Sequence, residues 1–194
     1  MKKLSRNDLY PLEHYSEIRD EFRHKIMAHK NSRRLMLGDV VMLLFEDRLL
    51  TQYQIQEMLR IEKIFDAAAI EEELATYNPL IPDGSNWKAT MMIQYGDADE
   101  RRRQLRNLKG IEDRVWMQVE NLARVYAIAD EDLERSNEEK TSAVHFLRFE
   151  LDANMIAAVK SGGSIRAGIN HAHYQAETDP LPERLRLALL GDIK

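Results

Sequence analysis

The sequence predicts an α+β fold, with a largely antiparallel sheet packed by helices in a single domain that covers residues 1–194. A length of 194 residues suits one domain with a sizeable core. Several predicted strands follow one another too closely for the crossover that parallel pairing requires. The predicted helices stand apart from these strands instead of alternating with them, which argues against a doubly wound sheet.

The N-terminal segment, about residues 5–31, is predicted to be helical and is a candidate elaboration of the domain. Pro11 suits the first turn of a helix, and apolar residues then recur every three or four positions to about Lys30. Residues 35–45 are predicted to form a strand that bends near Gly38 and Asp39.

The longest predicted helix covers residues 51–77, because this stretch contains neither Gly nor Pro. Its predicted apolar face consists of Ile55, Met58, Leu59, Ile61, Phe65 and Ala69. Glu62 falls within that face. We therefore expect its carboxylate to be partly buried and either paired with a cation, histidine or metal, or used as a catalytic acid or base.

The remaining strands are predicted from the alternation of apolar and polar residues, and the remaining helices from capping residues and glycines at their ends. Residues 78–84 carry two prolines and should form a rigid loop, a kind of segment that often carries function. Strands are predicted at 87–95, 114–119, 124–129, 142–151 and 164–174, with 114–129 forming a hairpin. Helices are predicted at 97–109, 152–160 and 182–190, and a weak acidic helix at 130–140.

Composition excludes several classes of function. The chain has no cysteine, which rules out disulfides, a thiol nucleophile and a self-ligated cysteine iron–sulfur cluster. A net charge of −5 gives no overall electrostatic reason to bind nucleic acid. No apolar run approaches the roughly 20 residues of a membrane span, and no secretory signal follows the basic N-terminus, so we expect a cytoplasmic protein.

Three histidines are candidates for chemistry. His145 lies on the apolar side of its predicted strand, where it is either a satisfied core residue or a catalytic candidate that could pair with Glu62. His171 and His173 would share one face of a strand, as metal ligands can require. A third ligand such as His145, Glu62 or Glu177 would have to converge on them. The acidic run 130–132 could hold Mg²⁺ or Ca²⁺, but a negatively charged helix start explains it more economically.

Three stretches of the chain resemble one bacterial family. They are YQIQEMLRIE at 53–62, NPLIPDG at 78–84 continuing to KAT at 88–90, and YAIADED at 126–132 continuing to TSAVHFLRFE at 141–150. Together they resemble domain-of-unknown-function family 3501 over nearly the whole chain. The resemblance implies an association with rubrerythrin-like and iron–sulfur oxidoreductase proteins, beside which members of the family are encoded. Six polar residues of these stretches are candidates for binding a ligand: Gln54, Glu57, Arg60, Asp83, Lys88 and Arg148.

Three hypotheses remain open at this point. The first is a cytoplasmic accessory or small-ligand-binding protein that works with an iron–sulfur oxidoreductase or a rubrerythrin-like partner. The second is a metal-dependent enzyme that uses His171 and His173, with Glu62 or His145 as a further group. The third is a structural protein that forms a homodimer.

Overall fold

A computed structural model of the chain describes residues 1–137 and 139–194. Within these residues the chain forms six α-helices and nine β-strands, and the strands make two antiparallel sheets. The α+β class predicted from the sequence is therefore confirmed. None of the described helices has the length and apolar character needed to cross a membrane.

The helices and strands alternate irregularly along the chain. The helices are α1 (Leu12–Asn31), α2 (Arg48–Ile61), α3 (Ala67–Tyr77), α4 (Ala98–Asn107), α5 (Ala153–Lys160) and α6 (Glu183–Leu190). The strands are β1 (Arg34–Leu37), β2 (Val41–Phe45), β3 (Asn86–Ile93), β4 (Val115–Val119), β5 (Val125–Tyr126), β6 (Ile128–Ala129), β7 (Val144–Glu150), β8 (Ile165–His171) and β9 (Tyr174–Glu177). Short 3-10 turns cover Arg6–Asp8, Asn78–Leu80 and Glu112–Arg114.

The two sheets share one hydrophobic core. Sheet A has the strand order β1-β2-β3-β7-β6, and sheet B has the order β5-β4-β8-β9. Alternate residues of β3, such as Trp87 and Met91, are fully buried in this core, as the period-two pattern predicts. The same core includes Leu147 and Phe149 of β7 together with residues of β4 and β8.

The predicted helix over residues 51–77 is wrong, because the chain forms two helices there. Lys63 adopts a left-handed conformation (φ 54°), which ends α2, and the side chain of Asp66 then caps α3. The assumed helical face is lost at this break. Ile61 and Phe65 are accordingly 56% and 65% exposed, and Glu62 is also exposed.

Three other boundaries differ from the prediction. The hairpin of β4 with β5 is confirmed, but after Ala127 the chain crosses to sheet A, where β6 pairs with β7. The strand predicted over 164–174 ends at His171, and the chain turns through Ala172 and His173 into β9. The described residues of 130–140 form no helix, and Glu138 lies outside the described residues.

Candidate functional site

A cleft of about 340 Å³ opens on the face of sheet A that points away from sheet B. Its floor comes from β3 and β7, which pair so that Lys88 lies opposite Arg148 and Thr90 lies opposite Phe146. Its walls come from the end of α3, the following turn and the segment 131–135. The lining residues are Thr76, Tyr77, Pro79, Leu80, Lys88, Ala89, Glu131, Asp132, Leu133, Arg135, Phe146, Leu147 and Arg148.

The guanidinium of Arg148 is held in place by carboxylates. Its Nε and Nη2 each donate to Glu131 at 2.8 Å, and its Nη1 donates to Glu150 at 2.5 Å. The bidentate bond to Arg148 lowers the pKa of Glu131. Arg148 thus pairs with Glu150 of its own strand and with a carboxylate from the segment that walls the cleft.

Lys88 differs from the two arginines of the cleft in that it forms no ion pair with a carboxylate of the described residues. Its Nζ donates to the carbonyl of Pro79, and no carboxylate oxygen of the described residues lies within 4.0 Å of it. Burial lowers the pKa of Lys88, while the more distant charge of Asp83 acts in the opposite direction. The rigid proline turn therefore positions an incompletely neutralised ammonium group beside apolar side chains.

Arg135 forms the third cationic group of the cleft. Its guanidinium lies over the ring of Phe146, with 4.5 Å between Cζ and the ring centroid, and it forms an ion pair with Asp132. Its Nε is 3.3 Å from Oδ1 of Asp130 but is buried without a hydrogen bond among the described residues. Arg135 thus connects the cleft to the residues behind it.

Behind the cleft lies a buried polar cluster around His145, which is completely inaccessible to solvent. The Nδ1–H of His145 donates to Oδ2 of Asp130 at 2.5 Å. Its Nε2 is 2.9 Å from the hydroxyl of Thr141, 3.1 Å from the carbonyl of Ser142 and 3.8 Å from Oε2 of Glu112. His145 is core-facing, as its strand position predicts, but its partners are Asp130 and Glu112, not Glu62.

Asp130 occupies a strained position between the cluster and the cleft. Its φ of 50° is uncommon for a residue other than Gly. Its backbone N–H donates to the carbonyl of Phe146 at 2.8 Å, and its Oδ1 accepts from the N–H of Phe146 at 2.9 Å. These two bonds fix the carboxylate, so that Oδ2 meets His145 while Oδ1 faces Arg135.

The histidine pair of the sequence-based metal hypothesis lies at the end of β8, with 5.8 Å between the two ring centroids. His171 ends β8 and is buried, whereas His173 lies in the turn and is exposed. The Nδ1 of His171 accepts the backbone N–H of His173 at 3.2 Å, and its Nε2 is 3.0 Å from the carbonyl of Lys109. Among the described residues, three potential ligands converge at Glu112, Asp130 and His145, not at this pair.

The other predicted site residues are distributed over two regions. Glu57 accepts hydrogen bonds from Arg19 and Tyr15 of α1, which ties α2 to α1. Glu57 also pairs with Arg60 of its own helix. The bond to Arg19 lowers the pKa of Glu57 to about 2. Gln54 is exposed on the same helix. The expectation of a buried, paired Glu62 is wrong, because Glu62 is exposed at the end of α2 and no ion pair of the described residues includes it.

The loop 78–84 does contribute to the cleft. Pro79 and Leu80 line it, while Asp83 accepts hydrogen bonds from Ser85 and Asn86 at the edge of β3. Sequence reasoning did not identify Glu112, Thr141, Arg135 or Phe146 as site residues. Thr141 and Phe146 lie in a stretch that carries the family resemblance, and Asp130 was a candidate only as part of the acidic run; no local pattern indicated Glu112.

Comparisons with known proteins agree with the family resemblance. The model of a family described as "Protein of unknown function (DUF3501)" matches residues 3–193. A crystal structure of a novel protein of unknown function from Burkholderia pseudomallei K96243 is similar, with a TM-score of 0.95 and 48% sequence identity over 100% of both chains. A search of curated proteins found no match.

Proposed function

The chain belongs to the DUF3501 family, and we propose that it binds a small organic anion in the cleft on sheet A. The observation that carries this proposal is the ammonium of Lys88, which faces the cleft without a carboxylate partner among the described residues. Partly desolvated charges gain most from a ligand of opposite charge, because the surrounding water screens them less.

The composition of the cleft narrows the class of ligand. Its volume of about 340 Å³ is at the small end of the range for ligand sites. Apolar surface from Leu80, Leu133 and Phe146 suits a hydrocarbon or aromatic body, while Lys88 suits a carboxylate. Because Arg135 and Arg148 already have carboxylate partners, they position the walls and offer secondary donors.

Calorimetric titration with small carboxylates tests this proposal. A suitable panel contains succinate, 2-oxoglutarate and benzoate, with butylamine and benzylamine as cationic counterparts. Lys88→Met removes the charge but keeps the apolar stem, and Lys160→Met at the exposed end of α5 is the matched control. We expect at least one carboxylate to bind, and Lys88→Met to weaken it by about tenfold or more, as for loss of a charged hydrogen bond.

Two results would contradict the proposal. One is binding of amines in preference to carboxylates, which would mean that Glu131 and Asp132, not Lys88, determine the charge of the ligand. The other is carboxylate binding of equal strength in Lys88→Met and the wild type, which would place the site elsewhere.

We also propose that the protein acts as an accessory to an iron–sulfur oxidoreductase or a rubrerythrin-like protein. Support for this association comes from the family resemblance alone. Affinity capture from the native cell, at low and at physiological salt, should recover such a partner. Capture without any iron–sulfur or rubrerythrin-like protein under both conditions would remove the accessory role and leave ligand binding as a separate question.

A further inference from the structure

We propose that His145, Glu112 and Thr141 form a binding site for a divalent transition-metal ion, with Asp130 as the residue that orients the imidazole. The site lies behind the cleft, and its chemistry is independent of the anion site at Lys88. Its ligand atoms are the imidazole Nε2, a carboxylate oxygen and a hydroxyl oxygen. Nitrogen and oxygen donors of this kind suit Zn²⁺, Mn²⁺ and Fe²⁺.

The spacing of the three atoms matches the size of such an ion. His145 Nε2 and Thr141 Oγ1 are 2.9 Å apart, Thr141 Oγ1 and Glu112 Oε2 are 3.2 Å apart, and Nε2 and Oε2 are 3.8 Å apart. A triangle with these sides has a central point about 2 Å from each corner, which is close to the length of metal–nitrogen and metal–oxygen bonds. An ion could therefore be bound with little movement of the three side chains.

Asp130 supplies the outer partner that metal-binding histidines usually have. Its carboxylate accepts from Nδ1–H of His145, which leaves Nε2 facing the hydroxyl of Thr141 at 2.9 Å and the carbonyl of Ser142 at 3.1 Å, with Oε2 of Glu112 at 3.8 Å. Carboxylate–histidine–metal arrangements of this type fix both the tautomer and the orientation of the ring. The backbone of Phe146 in turn holds Asp130 in its strained conformation, so the orientation is set before an ion binds.

Charge balance favours a cation at this position. The side chain of Glu112 is buried, and its hydrogen-bond partners among the described residues are the hydroxyls of Ser136 at 2.7 Å and Thr141 at 3.2 Å. No Lys or Arg nitrogen of the described residues lies within 4.0 Å of it. Arg135 is paired with Asp130 and Asp132. Buried carboxylates are generally paired with a cation or coordinate a metal, and among the described residues His145 is the one basic side chain within 4.0 Å of Glu112.

Metal titration of the untagged, chelator-treated protein tests the site. Zn²⁺, Mn²⁺ and Co²⁺ are titrated separately by calorimetry, and the bound metal is counted after gel filtration. We expect about one equivalent of at least one ion, with a Co²⁺ absorption spectrum typical of nitrogen and oxygen ligands. Glu112→Gln should weaken binding by about 100-fold or more, and Asp130→Asn by about 10–100-fold, as for loss of an outer partner.

Two control variants separate this site from its alternatives. His171→Gln should leave the affinity unchanged, and Lys88→Met should also leave it unchanged, so failure here is distinct from failure of the anion proposal. His145→Gln should abolish metal binding. If that variant does not fold, the metal affinity of Glu112→Gln decides whether the site exists, provided that its circular dichroism spectrum matches that of the wild type. Absence of stoichiometric binding at 0.1 mM metal, or loss of binding in His171→Gln, overturns the proposal. Absence of metal binding would instead indicate a buried hydrogen-bond network that joins His145 to Asp130, Thr141 and Glu112.

Discussion

Removing the guanidinium of Arg33 should destabilise the fold strongly and in a pH-dependent way. Arg33 is 2% exposed and forms an ion pair with Asp192, which is 3% exposed. It also donates to the carbonyls of Phe45 at 2.8 Å, Glu46 at 3.1 Å and Ala188 at 3.3 Å. These contacts connect the end of α1 to β2 and to the C-terminal helix. Arg33→Met keeps most of the apolar stem but leaves the carboxylate of Asp192 buried without its partner. It also removes the contact of Arg33 with Asp47 at 3.4 Å, although Asp47 keeps its contact with the imidazole of His29.

The magnitude follows from the cost of an unpaired buried charge. Breaking a buried ion pair by removing one member costs about 3–5 kcal/mol, which for a chain of this length lowers Tm by about 6–20 °C. Arg34→Met is a matched control, because Arg34 is exposed and makes one long hydrogen bond, of 3.5 Å, to Asn31. Surface substitutions of this kind usually change stability by less than about 0.5 kcal/mol.

The pH dependence follows from the pKa of Asp192. Burial raises this pKa to about 6, although Arg33 opposes the shift. A carboxyl group with a raised pKa binds more protons in the folded state, so its contribution to stability falls as pH rises from about 4 to about 6. Without Arg33 the pKa should rise further. Arg33→Met should therefore lower the free energy of unfolding more at pH 8 than at pH 5. The difference should be about 1.4 kcal/mol for each unit by which the substitution raises the pKa of Asp192.

Urea denaturation followed by the fluorescence of the buried Trp87 and Trp116 measures these differences at pH 5 and pH 8. The double variant Arg33→Met/Asp192→Asn should recover part of the loss at pH 8, because no buried charge remains without a partner. A cost below about 1 kcal/mol, or one that is equal at both pH values, would refute the assignment of Arg33 and Asp192 as a buried pair.

Three further perturbations test other parts of the structure. Burial lowers the pKa of Lys88. After ¹³C reductive methylation, an NMR titration should therefore show that the dimethylamine of Lys88 has a lower pKa than those of exposed lysines. A normal or higher pKa would contradict the burial of Lys88 in the cleft. Gly168→Ala would place a Cβ against the ring of Trp116 and 2.6 Å from the carbonyl oxygen of Ala176, and it should cost about 1–3 kcal/mol in urea denaturation. Gly96→Ala, whose Cβ would meet no atom of the described residues within 4 Å, should be nearly neutral. Lys63→Gly should raise stability by up to about 1 kcal/mol by relieving the left-handed backbone; a lower Tm would mean that the lysine side chain itself stabilises the break.

The sequence predicted those elements whose signals are local. In β3, the alternation of Trp87, Ala89, Met91 and Ile93 identified both the strand and its core face, because successive side chains of a strand point to opposite sides. The helix predicted over 152–160 is present as α5, and the carboxylate of Asp152 caps it by accepting from the N–H of Met155 at 2.9 Å. The core position of His145 followed from the same two-residue period in β7.

The error at residues 51–77 shows where local signals are insufficient. Helix-favouring composition continues across Glu62 and Lys63, and no Gly or Pro marks the break. The chain nevertheless turns there, which lets Leu59 of α2 and Leu74 of α3 enter one cluster with Ile81. Burial of these apolar groups against each other can outweigh about 1–2 kcal/mol of backbone strain at one residue.

The candidate site depends on contacts between distant parts of the chain. Local periodicity placed His145 in the core and Lys88 on a strand, and the family resemblance drew attention to Lys88 and Arg148. Only the register of β3 with β7 placed Lys88 opposite Arg148, and only the packing of the turn before β4 against sheet A brought Glu112 to within 3.8 Å of His145. Periodicity determines which way a side chain points from its own element, whereas its partners depend on strand pairing and core packing across tens of residues.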